Sequence, residues 1–149
     1  MKKILTIIFL SLFMNNFTYA DLKGISKMKL SIEYLSPKAE SCGITREEIE
    51  TSARYILSNS KISIVDKGPF PYLYIQANIS NNDGCYANSN IRVYRNMQDP
   101  ISKNWGEFVY YTKSEIYSGG TGTKFGDPFI NALEQLLKSL VVIHSKDNQ

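Results

Sequence analysis

The stretch Tyr72-Leu73-Tyr74-Ile75-Gln76-Ala77-Asn78-Ile79-Ser80 carries the clearest pattern in the chain. Leu73, Ile75, Ala77 and Ile79 fall on one parity, and Tyr74, Gln76, Asn78 and Ser80 on the other. Successive side chains of a strand point to opposite faces, so this segment reads as a strand with one buried face. Asn82, Asp83 and Gly84 follow, and Asp-Gly between two alternating runs signals a hairpin. The return strand then places Ala87, Ile91 and Val93 inward and Tyr86, Asn88, Asn90, Arg92 and Tyr94 outward.

Upstream, Leu30, Ile32 and Tyr34 alternate with Lys29, Ser31 and Glu33, which predicts another half-buried strand, stopped at Ser36 and Pro37. A helix follows. Thr45 is its N-cap, Glu48 stands three residues on as the capping-box partner, and Ile44 is placed to staple against Ile49. Its buried stripe is Ile49, Ala53, Ile56 and Leu57, and Ile62 with Ile64 suggests a short strand before the break at Gly68, Pro69 and Pro71.

Downstream, residues 96–104 read as a loop containing Pro100, after which a strand from Trp105 to Tyr117 carries Phe108, Tyr110 and Ile116 on its inward face. Glu107, Tyr111, Lys113, Glu115 and Tyr117 make its outward face, with Val109 the exception. A glycine-rich connector, 118–126, leads to a last helix with Asp127 as N-cap and Pro128 at the first helical position. Phe129, Leu133, Leu136, Leu137, Leu140 and Val141 form its apolar stripe, and Glu134 and Lys138 pair at i,i+4 on its surface. The order β-α-β-β-β-β-α predicts an α+β two-layer sandwich: a mostly antiparallel sheet of about five strands, two helices on one face, the other face wet.

The amino terminus is of another kind. Lys2 and Lys3 precede an apolar run from Ile4 to Met14, and Ala20 offers a small-residue cleavage point, the pattern of a secretory signal. The run is too short for a membrane span, which needs about 20 apolar residues. The expected organisation is a signal peptide over 1–20 and a single domain over 21–149. No cysteine follows the cut, so no lipid anchor is expected, and the product is periplasmic or secreted with no stable membrane span. Removing residues 1–20 takes two lysines from 17 basic and 14 acidic residues, leaving 15 against 14. That balance supplies no electrostatic footprint for nucleic acid.

The two cysteines, Cys42 and Cys85, are expected to be bridged in an oxidising compartment. Two cysteines and the single histidine, His144, do not furnish a tetrahedral metal set, and no cofactor is expected. His144 falls in the last turn of the final helix, where it reads as a capping or solvated residue. Neither Ser-His-Asp nor Cys-His chemistry has the residues it needs. The glycine-rich connector lacks the Gly-Lys-Ser/Thr of a phosphate loop, because Thr123 separates Gly122 from Lys124 and Phe125 follows. Glu107 and Glu115 share a strand, but eight residues at about 3.3 Å each separate them too widely for a glycosidase pair.

The surface with a character of its own is the outward sheet face. Tyr74, Arg92, Tyr94, Tyr111 and Lys113 are its candidate binding residues, since tyrosine brings contact area at low entropic cost. The expected function is a non-enzymatic binding or adaptor domain, its partner an envelope protein or cell-wall component. The alternative is a small hydrolase or enzyme inhibitor with a loop site gathering carboxylates such as Asp66, Asp83 and Asp99.

The stretch 33–45, with Glu33, Tyr34, Leu35, Ser36, Pro37, Cys42, Gly43, Ile44 and Thr45, together with Pro71 to Ile75 and Tyr86-Ala87, resembles a pattern of small exported bacterial proteins of no assigned activity. More loosely, the element order is similar to that of the TolB amino-terminal domain and of outer-membrane activators of penicillin-binding proteins. The resemblance implies an exported adaptor and carries no catalytic residue.

Overall fold

Alternating residues 27–32 form β1 (Lys27–Ile32), with Met28 and Ile32 buried. The computed structural model describes residues 21–80, 84–118 and 122–149, the side chains of 118, 122 and 123 excepted. The signal-like segment, Asn82 and Asp83 of the hairpin turn, and 119–121 of the glycine-rich connector lie outside the described residues. After β1 come a one-turn helix α1 (Pro37–Ser41), α2 (Arg46–Ser58), β2 (Ser63–Ile64), β3 (Tyr72–Ser80), β4 (Tyr86–Gln98), β5 (Trp105–Ser118) and α3 (Gly126–Asp147). The strands make one five-stranded sheet in the order β2-β1-β3-β4-β5. β1 lies parallel to β2 and β3, whereas β3-β4 and β4-β5 are antiparallel. The structure is thus the α+β sheet-and-helix arrangement the alternation implied.

The capping box of α2 is formed: Glu48 N donates to Thr45 Oγ1 at 3.2 Å and Thr45 N to Glu48 Oε2 at 3.1 Å. Two donors that would otherwise be orphaned at the helix start are satisfied reciprocally. Ile44 and Ile49 on either side are fully buried. α3 begins differently from expectation. A 3₁₀ turn, Gly122–Phe125, runs straight into it, Phe125 stands at the N-cap, and Asp127 falls inside the first turn. There its carboxylate still favours the positive end of the helix dipole.

The core is the layer between sheet and helices. Leu73, Ile75, Ile91 and Val93 from the sheet meet Ile49, Leu57, Phe129, Leu133, Leu136, Leu137 and Leu140 from the helices. Cys42, just past α1, is bonded to Cys85, just before β4, with the two Cα atoms 5.9 Å apart. Next to this bridge, Gly43 takes φ 72°, and a Cβ on Gly126 would overlap the Gly43 carbonyl oxygen. Glycine at both positions therefore lets α3 start against the backbone that leaves α1.

The last turn of α3 holds the first described residues. His144 is 3% exposed, with Nε2 2.6 Å from the Ile25 carbonyl oxygen, which corrects its reading as a capping or solvated residue. Leu22 N donates to Asp147 Oδ2 at 3.0 Å, and Gly24 N to Asn148 Oδ1 at 2.8 Å.

Candidate functional site

The face of the sheet away from the helices is built row by row from strand register. Lys29 of β1, Tyr72 of β3 and Tyr94 of β4 are directly paired across three strands. In the next row stand Ser31, Tyr74 and Arg92. Side chains opposite one another in adjacent strands are close enough to interact, and here they do. Lys29 Nζ lies 2.8 Å from the Tyr72 hydroxyl and 4.0 Å from the centre of its ring. Tyr72 and Tyr94 stack with centroids 5.4 Å apart, and Tyr74 meets Tyr94 edge-on at 6.3 Å. The Arg92 guanidinium lies 5.5 Å from the Tyr74 ring and 5.1 Å from the Tyr94 ring, and its Nη1 is 3.1 Å from Glu107 Oε2.

Cations over aromatic faces are held by the ring quadrupole, each contact contributing about 0.5–1 kcal/mol where exposed. The result is a pre-ordered aromatic and cationic patch whose side chains are half-buried by one another. Burial raises the Tyr74 phenol above its ordinary pKa, and the hydrogen bond to Glu33 adds to it. Burial raises Tyr94 as well, followed by the negative charge of Glu107. Both phenols are therefore neutral at physiological pH.

Of the five candidate residues, Tyr74, Arg92 and Tyr94 are brought together here. Tyr111 and Lys113 are not. Tyr111 is 1% exposed in the core, and Lys113 Nζ reaches Ser139 Oγ of α3 at 3.1 Å. The reason is a bulge. Val93 pairs with Tyr111 but Tyr94 pairs with Val109, so Tyr110 is an extra residue and the parity of β5 reverses there. Beyond it Tyr111, Lys113, Glu115 and Tyr117 face the helices, whereas Ile116, expected inward, is 79% exposed. The sequence signal was the unbroken run Phe108-Val109-Tyr110-Tyr111, in which Val109 already failed to alternate. Lys29, Tyr72, Glu33 and Glu107 complete the patch and had not been singled out. Tyr72 shares the parity of Tyr74, but Lys29 and Glu33 join only through the parallel pairing of β1 with β3.

An open groove of about 730 Å³ lies elsewhere, between α2 and α3. Glu47, Glu48, Asp127 and Glu134 stand in its walls. Glu48 is engaged in the capping box, and Glu134 accepts from Ser52 at 3.1 Å and from Lys138 at 3.3 Å. No cysteine or histidine lines it, and among the described residues no group of three or more His, Cys, Asp or Glu could hold a metal. Asp66 is exposed, 3.8 Å from Arg54. Asp99 caps the turn between β4 and β5, and hydrogen bonds from Ser102 and then Ile101 hold its carboxyl below the usual value. Asp83 lies outside the described residues.

No family model and no curated protein matches this chain. Among solved structures, a minor lipoprotein from Acinetobacter baumannii is similar over 82% of this chain and 94% of its own, at 11% identity and a TM-score of 0.33. That distance carries no functional argument. The Cys42–Cys85 bridge is compatible with an exported protein. Among the described residues, no helix is long and apolar enough to cross a membrane.

Proposed function

We propose that the chain is an exported, non-enzymatic binding or adaptor domain of the cell envelope. Its docking platform is the helix-free sheet face around Lys29, Tyr72, Tyr74, Arg92 and Tyr94. The single observation that supports this reading most is the ordering of that patch. Stacking and cation-π contacts fix five amphipathic side chains before any partner arrives, which lowers the entropic cost of binding. Tyrosine and arginine are also the residue types that dominate binding hot spots. The partner class that fits is an envelope protein or a cell-wall component presenting planar, hydrogen-bonding groups.

The test replaces Tyr72, Tyr74 and Tyr94 together by Ser. Loss of cross-strand pairs should cost about 1–3 kcal/mol, leaving a folded protein by thermal melt. Pull-downs from envelope extract and from purified cell-wall material, run beside the parent protein, should show its specific partners gone. Retention of every partner by the folded triple variant overturns the proposal.

A further inference from the structure

The outer margin of β5 is a second surface, independent of the tyrosine patch. β5 ends the strand order, so among the described residues one whole edge of Trp105–Ser118 lies against no strand. Unpaired N–H and C=O groups along such an edge are a template for another strand. Past the bulge at Tyr110 the pairing with β4 is regular from Tyr111 to Ser118, and no proline interrupts it.

The charges of this segment suit a copy of itself. We infer that β5 pairs with β5 of a second copy of the chain, antiparallel about a twofold axis through Ser114. The axis sets Lys113 opposite Glu115 of the second copy and, by symmetry, Glu115 opposite its Lys113. Both side chains are about two-fifths exposed, and within the chain they lie 4.0 Å from each other, so this register offers each of them a second opposite charge across the edge. The same register sets Ile116, the most exposed apolar side chain of the strand at 79%, opposite Thr112. An axis through Lys113 or through Glu115 would set like charges face to face, which destabilises a strand pair. A twofold interface must be self-complementary, and the register about Ser114 is so. The product is one continuous sheet of two five-stranded halves with both helix layers on the same side.

The test is a charge exchange read by molecular mass. The purified parent protein should sediment as a dimer at a concentration on the order of 0.1 mM. Lys113→Glu and Glu115→Lys, each alone, should raise the dimer dissociation constant at least about tenfold, because each puts like charges in both symmetric pairs. Mixing the two variants should restore a dimer of one copy of each, an outcome that damage within a single chain cannot produce. Ser114→Cys should cross-link copies under mild oxidation, whereas Asn88→Cys on the exposed sheet face should not. A parent protein that stays monomeric at that concentration, a mixture that fails to associate, or absence of the Ser114→Cys cross-link overturns the inference.

Discussion

The two faces of the sheet are written in the same alphabet and obey different rules. Toward the helices, tyrosines and aliphatic residues are locked by surrounding side chains: Tyr111 is 1% exposed and Leu73, Ile75, Ile91 and Val93 are buried. Away from the helices, Tyr72, Tyr74 and Tyr94 are ordered by one another, by Lys29 and Arg92 and, for Tyr74, by a hydrogen bond to Glu33. A tyrosine's chemistry therefore does not decide its role. The layer above it does, and substitution separates the two cases.

The largest expected effect comes from Tyr111→Ser, which opens a cavity in a closed layer and should cost about 3–5 kcal/mol, as aromatic truncations in cores do. Tyr74→Ser on the opposite face should cost under about 1 kcal/mol. Urea denaturation of both variants checks the pair, and equal losses would break the distinction between the faces. Next comes the bridge that ties the helical layer to the start of β4. With Cys42 and Cys85 separated by 43 positions in sequence, the chain-entropy model gives a loss of roughly 4 kcal/mol for the Cys42→Ser, Cys85→Ser variant. A denaturation midpoint unchanged by the double substitution would show that packing alone holds the layers.

The smallest effect appears at alkaline pH and touches both faces. Tyr117, facing the helices, is raised above its ordinary value of 10 by burial and then by donating to Glu115. Tyr74 and Tyr94 on the open face are raised too. The native state thus holds these protons more tightly than the unfolded chain. Their contribution to stability is complete below pH 10 and is lost as pH rises from there through the native values. Phenolate absorbance followed beside circular dichroism should show tyrosines ionising with unfolding, and Tyr117→Phe should remove part of the alkaline loss.

How far the sequence could be read depended on whether each signal was local. β3 alternates without interruption and pairs on both sides in register, so its parity was legible to the residue, as was the capping box at Thr45 and Glu48, and the stripe of α3 was legible except at the buried His144. β5 was half legible. One inserted residue at Tyr110 inverts every side chain beyond it, and period-two reading has no means of noticing except the failure at Val109. The patch was legible in Tyr74, Arg92 and Tyr94, which share one hairpin. Lys29 was not, because its neighbour Tyr72 is 43 residues away and parallel pairing leaves no turn between the partners.

The clasp between the last turn of α3 and residues 22–25 sets the order in which the molecule can be finished. A ribosome makes Leu22 and Ile25 at least 119 residues before the partners they find in His144, Asp147 and Asn148, yet these groups satisfy one another's hydrogen bonds. The segment leading into β1 therefore waits, without its final partners, until the last turn of α3 exists. Contacts of such wide sequence separation slow folding. They also bring residues 22–25 beside residues 144–148, so a short linker joining these two segments and a new opening in the exposed turn at residues 99–104 should yield a permuted chain with the same architecture.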